Sequence, residues 1–204
     1  MYAFACIRSK SVGHQSHSME TAHQYTDFVS LIEKSIKANW DLDALTDYQG
    51  TTLQYKDVAR KIEKLHILFE NAGICRGDKI ALCGRNSANW ATAFLATLSY
   101  GCVAVPILHE FMAHQVHDIV NHSGARLLFA GDQVWPDLDA EAMPQLEGVI
   151  NIPDYSLLVS RTDRLTEARE HLNEFFGRKY PKYFRKEHVT YSHNPDPDAL
   201  ALIN

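Results

Sequence analysis

Apolar residues recur along this chain at two different spacings, and the spacings alternate. The pattern is clearest between residues 73 and 108. Lys79 to Cys83 (KIALC) is a short apolar run fenced by Gly77-Asp78 and Gly84, the pattern of a buried strand. Trp90, Phe94, Leu95 and Leu98 then follow at helical spacing behind Ser87, whose hydroxyl can accept from the free N–H groups of a first turn. Gly101 stands where that helix stops, because glycine enters the left-handed conformation without a Cβ clash. Val103-Ala104-Val105 is a second strand, closed by Pro106. A strand–helix–strand unit with a crossover of about twenty residues predicts two parallel strands with the helix on one face.

The flanks extend the pattern. Phe28, Leu31, Ile32 and Ile36 share one helical face, which ends near Asn39-Trp40. Two short alternating runs around Gln49-Gly50 predict a hairpin. Val58, Ile62, Leu65 and Phe69 predict a long helix from Lys56 to Asn71, stopped by Gly73, with His66 off the stripe and in solvent. A helix over 112–121, a strand over 126–130, a short helix within 138–146 and a strand over 148–152 complete a βαβαβαβ alternation. This predicts an α/β fold with a doubly wound, mostly parallel sheet flanked by helices. Residues 1–24 lack periodicity and are expected to form a flexible tail, of which the first 18 need not belong to the native protein. The α/β core is assigned to 25–155. A helical, basic–aromatic insertion follows over 156–194, with one polar helix over 160–176. A strand start at 195–204 ends the chain, where the apolar run Ala199 to Ile203 is expected to be buried.

Composition narrows the chemistry. The 204 residues are 46% hydrophobic with a net charge of −5, which suits one medium domain and gives no global pull toward nucleic acid. Cys6, Cys75, Cys83 and Cys102 form no CxxC pair and read as small hydrophobes in a reducing, cytoplasmic setting. No apolar run is long enough to span a bilayer, and no secretory signal is evident. His14 and His17, and the set His109, His114, His117 and His122, lack the carboxylate or thiolate partners of a metal site. Arg178, Lys179, Lys182, Arg185 and Lys186 interleave with Tyr180, Tyr183 and Phe184. Such a mixture can bind phosphate or stack bases, although a solvated insertion with inward-facing aromatics fits an acidic chain better. The turn Gly84-Arg85-Asn86-Ser87 is the one candidate anion cradle, and an ordinary helix cap with a surface arginine is the better reading of it. No GxGxxG, Walker A, GxSxG or HExxH motif is present.

Five stretches occur in a telling order: Leu53-Gln54-Tyr55-Lys56-Asp57-Val58, Gly77-Asp78-Lys79-Ile80-Ala81-Leu82, Arg85-Asn86-Ser87-Ala88-Asn89-Trp90, Tyr100-Gly101-Cys102-Val103-Ala104-Val105-Pro106, and Asn121-His122-Ser123-Gly124-Ala125-Arg126. They resemble the LTYxEL, GDRVAL, xNSxEW, xGxVxVP and xDSGAK segments near the N-terminus of the AMP-forming acyl-CoA synthetases, the adenylate-forming ligases. The likeness is fullest to the long-chain fatty-acid ligases. It implies the N-terminal subdomain of that fold. It also implies that the last apolar run leads to a phosphate loop, YTSGTTGxxKG, beyond Asn204. The matched positions are structural, so no catalytic, cofactor-binding or metal-binding residue carries over. His109, beyond the Val103–Pro106 strand, is the one candidate for a substrate-pocket residue.

The resemblance implies an enzyme that joins a fatty acid to ATP as an acyl-adenylate and then to coenzyme A. Mg-ATP and coenzyme A are substrates of the intact enzyme, and neither is expected to be held by this stretch alone. Its implied partners are the remainder of its own polypeptide and the substrates, with room for a homodimer and peripheral membrane contact and none for nucleic acid. The rival readings are a stand-alone α/β binding or regulatory module without catalysis, and a nucleic-acid binder acting through 178–186.

Overall fold

In the computed structural model, residues 27–191 and 199–203 are described. The expected tail, Cys6, His14, His17 and the connector at 194–198 lie outside them. In chain order the elements are α1 (Phe28–Ala38), β1 (Asp43–Thr46), β2 (Thr52–Gln54), α2 (Tyr55–Ala72), β3 (Lys79–Cys83), α3 (Ala88–Tyr100), β4 (Val103–Ile107), α4 (Ala113–Ser123), β5 (Leu127–Ala130), β6 (Gly148–Asn151), β7 (Leu157–Ser160), α5 (Asp163–Glu170) and α6 (Leu172–Lys179). β1 and β2 form the antiparallel hairpin. The other five strands form one sheet in the order β4-β3-β5-β6-β7, parallel except for β7. No helix among the described residues is long and apolar enough to cross a membrane.

Alternation along the strands sorts the core into two layers. Ile80, Leu82, Ala104, Leu127, Phe129 and Ile150 face a layer built from α2, α3, α5 and α6. Ala81, Cys83, Val105, Leu128, Ala130 and Val149 face α4 and the loops after β5. This is the period-two consequence of a sheet covered on both faces. Cys83 and Cys102 sit inside these layers. Burial pushes their thiols up, to about 11 and about 12 respectively, so both stay protonated and act as small hydrophobes.

α3 buries mainly small residues; of its large side chains Leu98 is buried. Ala93, Ala96, Thr92, Thr97 and Ser99 are buried, whereas Trp90, Phe94 and Leu95 are only partly covered. Each buried hydroxyl is satisfied within the helix: Thr92 donates to the Ala88 carbonyl at 2.7 Å, Thr97 to Ala93 at 2.9 Å and Ser99 to Leu95 at 2.6 Å. Ser87 caps the first turn by accepting from the Trp90 N–H at 3.0 Å, as its position predicts. A second acceptor comes from far away. Asp47, at the hairpin tip, takes the Ala88 N–H at 2.7 Å.

Several expectations are corrected. His66 is buried, not solvated. Its Nε2 lies 3.1 Å from the Ala96 carbonyl and 3.0 Å from Ser99 Oγ. Because a carbonyl only accepts, Nε2 carries a proton, and burial keeps the ring neutral. Pro106 does not close β4, which runs on to Ile107. Ala104 sends both its backbone groups toward Ala201 and Ile203, so by period two the missing N–H of Pro106 falls on that outer edge, where no ladder bond to β3 is lost. The short helix expected within 138–146 is instead a pair of 3₁₀ turns, Trp135–Asp137 and Ala140–Ala142. The polar helix expected over 160–176 is two helices, broken at His171. β7, in the stretch set apart as an insertion, pairs with β6 in the main sheet. The run Ala199 to Ile203 meets β4 through one parallel bridge, Leu202 to Ala104, and is not buried: Leu200 is 58% exposed and Leu202 42%.

Two consequences are measurable. Burial lowers the folded-state pKa of His66 to about 4, against 6.5 when unfolded. The unfolded chain therefore binds the proton first, so this stability is intact above pH 6.5 and is lost as pH falls toward 4, by about 3 kcal/mol. Urea unfolding between pH 7 and 4.5 should show that fall, and His66→Gln should flatten it. Asp47→Ala should lower stability by about 1 kcal/mol through loss of a helix cap, with Asp47→Asn costing less. Equal stability of wild type and Asp47→Ala in the same assay would refute that role.

Candidate functional site at the strand ends

The topology designates one place where a ligand fits this kind of sheet. From β3 the chain moves outward to β4, then crosses to the other face and returns to β5 on the opposite side of β3. The switch point therefore lies at the carboxyl ends of β3 and β5, where the connections diverge and leave a crevice. Gly84 follows β3 there and Gly131 follows β5. Their backbones lie against each other, with the Gly131 N–H donating to the Cys83 carbonyl at 2.9 Å. A Cβ on Gly84 would come within 2.7 Å of Ile152 Cδ1 and 3.2 Å of Gly131 Cα. Glycine at both positions is what lets the two strand ends meet this closely.

The turn Gly84-Arg85-Asn86-Ser87 opens α3 at this edge, and two N–H groups of the helix's first turn are already engaged. Ser87 accepts from Trp90 and the Asp47 carboxylate accepts from Ala88, so the protein's own anion occupies the helix N-terminus. Arg85 is exposed. The residues present here do not fit a nucleotide phosphate group, and no step of a reaction is assigned to them. Nothing local in the sequence announced Asp47, which is 41 positions away from Ala88.

His109 lies one strand over, just beyond β4. Its side chain is about one-third exposed, and Nδ1 stands 3.2 Å from Glu110 Oε2. Around it, Leu108 and Met112 are 62% and 68% exposed, and Phe111 also reaches solvent. An imidazole beside a carboxylate, ringed by uncovered apolar side chains, makes a weakly polar rim at the carboxyl edge of the sheet. The other histidines do not join it. His117 Nε2 accepts from the Asp139 N–H at 3.0 Å, while His114 and His122 face solvent. Among the described residues no group of three His, Cys, Asp or Glu side chains could hold a metal ion.

The opposite, amino-terminal edge is closed by ion pairs. Arg126, entering β5, bonds Asp78 and Glu147 and donates to the Gly73 carbonyl at 3.1 Å. One guanidinium thus joins the approaches to β3, β5 and β6, leaving the carboxyl edge as the side open to chemistry.

Comparison with known proteins agrees with this fold. Residues 32–204 match the family model described as AMP-binding enzyme. The chain is 31% identical over 96 residues to the fatty acid–acyl-carrier-protein ligase ScoC of Streptomyces coeruleorubidus, a match covering 47% of this chain and 18% of ScoC. It is 35% identical over 95 residues to the long-chain-fatty-acid–CoA ligase FadD13 of Mycobacterium tuberculosis, covering 47% of this chain and 18% of FadD13. The matched region is thus less than a fifth of each relative. Among solved structures, the anthranilate CoA ligase AuaEII in complex with anthranoyl-AMP superposes with a TM-score of 0.58 at 21% identity, over 68% of this chain and 26% of AuaEII. The N-terminal domain of FACL13 from Mycobacterium tuberculosis superposes with a TM-score of 0.55 at 20% identity, over 70% and 35%. With the fold of the N-terminal subdomain and a family match across most of its length, the chain belongs to the AMP-binding enzymes, the adenylate-forming ligases.

Proposed function

We propose that this chain is the N-terminal scaffold of an AMP-forming ligase that activates a long-chain fatty acid and transfers it to coenzyme A. The carrying observation is the family match over 32–204, joined by relatives whose names specify fatty acids. In this reaction a carboxylate oxygen attacks the α-phosphorus of ATP and pyrophosphate leaves. The thiol sulfur of coenzyme A then attacks the acyl carbonyl and AMP leaves. Transition-state charge in such a transfer is met by positioned donors and Mg²⁺, supplied here from outside the described residues.

The share assigned to this chain is structural and apolar. β4 is the outer strand of the sheet apart from the single bridge to Leu202, and exposed Leu108, Phe111, Met112 and Leu200 lie around it. That edge is the docking face for the remainder of the same polypeptide, and the rim at His109 is one wall of the acid pocket. Uncovered apolar surface next to a strand edge that holds only one bridge among the described residues favours this over a stand-alone module, which would need a sealed edge.

The test is to read the gene past the Asn204 codon, produce the encoded protein and follow AMP release with palmitate, coenzyme A and Mg-ATP. Release that requires palmitate is expected, with anthranilate a far poorer substrate and the 204-residue chain inactive alone. Preference for anthranilate would overturn the fatty-acid assignment, and turnover by the 204-residue chain would overturn the scaffold role. His109→Ala in the longer protein should raise KM for palmitate by about tenfold at nearly constant kcat, as expected of a wall residue.

A further inference from the structure

The segment from Arg178 to His188 carries five cations and one carboxylate in a chain whose net charge is −5. The fold sorts this segment into two halves. Its aromatic half turns inward: Phe184 is buried, with ring centroids 4.9 Å from Tyr180, 5.7 Å from Phe176 and 6.0 Å from Trp40. The Tyr180 hydroxyl donates to buried Glu63 on α2 at 2.9 Å, and the Tyr191 N–H donates to Glu33 on α1 at 3.0 Å. The backbone is therefore clamped at both ends and in the middle.

The other half turns outward around a shallow groove of about 540 Å3, lined by Lys179, Lys182, Tyr183, Arg185 and His188 among others. Lys179 is matched by Glu63 at 2.8 Å, and Glu174 is taken by Arg178 and His171. Arg185 stands over the Tyr183 ring at 4.9 Å, which holds the guanidinium at the groove without neutralising it. The Arg185 N–H donates to His188 Nδ1 at 2.9 Å, so the second ring nitrogen of neutral His188 is a donor. No carboxylate bonds Lys182, Arg185 or Lys186 among the described residues. An acidic protein has here fixed a row of donors and positive charge on a clamped support, with no counter-ion among the described residues.

We propose that this groove binds the phosphate group of a phosphorylated ligand. A guanidinium presents paired N–H groups that match two phosphate oxygens, and the flanking ammonium groups add charge without demanding geometry. The groove is larger than a phosphate, so it also accommodates the glycerol or sugar that bears one. Such a phosphate occurs in a soluble metabolite and in a lipid headgroup, and the chemistry recognised is the same. The site is separate from the strand-end crevice, and its test does not depend on the ligase reading.

Two arms distinguish the sources, both with the full 204-residue chain in 50 mM and 500 mM NaCl. Glycerol 3-phosphate is titrated and followed by amide chemical shifts. Co-sedimentation is measured with phosphatidylglycerol vesicles and with phosphatidylcholine vesicles. Saturable shifts confined to 179–188 would identify a soluble ligand. Binding to phosphatidylglycerol alone, without those shifts, would identify a headgroup. In whichever arm binds, Lys182→Glu with Arg185→Glu should weaken binding at least tenfold, and high salt should weaken it too, because exposed charges are screened. Lys34→Glu, an exposed lysine on α1, should change it less than twofold. Both replaced side chains are exposed, and the Lys182→Gln, Arg185→Gln pair with an unchanged melting curve separates lost binding from lost folding. No binding in either arm at 50 mM salt, or equal binding by wild type and the double variant, would overturn the proposal.

Discussion

The structure depends on the burial of α2 from more than one side. Ten of its eighteen residues are buried, which is more than a single amphipathic stripe supplies. One side meets the sheet through Phe69, whose ring stands against Phe129 on β5. The others meet α3, α5, α6 and the hairpin. A helix enclosed in this way cannot leave its polar residues in water, so Glu63 and His66 need partners inside the protein. Tyr180 and Lys179 serve Glu63, while Ala96 and Ser99 serve His66. Those bonds in turn fix where α6 and α3 sit. The basic loop after α6 is rigid for the same reason.

The helix layer and the open edge are two outcomes of one packing problem. Small residues on α3 let it approach both α2 and the sheet, and this leaves Trp90 and Phe94 stacked on each other at the margin, centroids 5.4 Å apart. At β4 the layers end. A proline in that strand is tolerated because its outer side carries little of the ladder, and apolar residues just past it remain uncovered.

Charge also holds the sheet region together. Arg126 binds the amino ends of the strands to one another, and Asp47 neutralises the start of α3. Among the described residues, the loop after α6 gathers Lys182, Arg185 and Lys186 with no bond from any of them to a carboxylate.

The sequence by itself determined the elements and their neighbours along the chain. Period-two and period-3.6 runs, Ser87, Gly73, Gly101 and Gly124 set the β3–α3–β4–α4–β5 succession, and right-handed crossovers made the sheet parallel. The five motif stretches, all within 53–126, also lie in these local units and carried the family. What the tertiary structure decided involves residues far apart in the chain. Asp47 reaches Ala88, His66 reaches Ser99, and Glu63 meets Tyr180 across 117 positions. Periodicity reports which face of an element is apolar but not what lies opposite a polar residue on its flank. His66 was therefore misplaced in solvent, and the cap from Asp47 had no signal. β7 escaped because its four residues sit beside a polar turn and pair antiparallel at an edge, where burial is too slight to leave a strong pattern. His109 at the carboxyl edge followed from strand order alone, whereas its apolar surroundings needed the fold to show which of its neighbours stay uncovered.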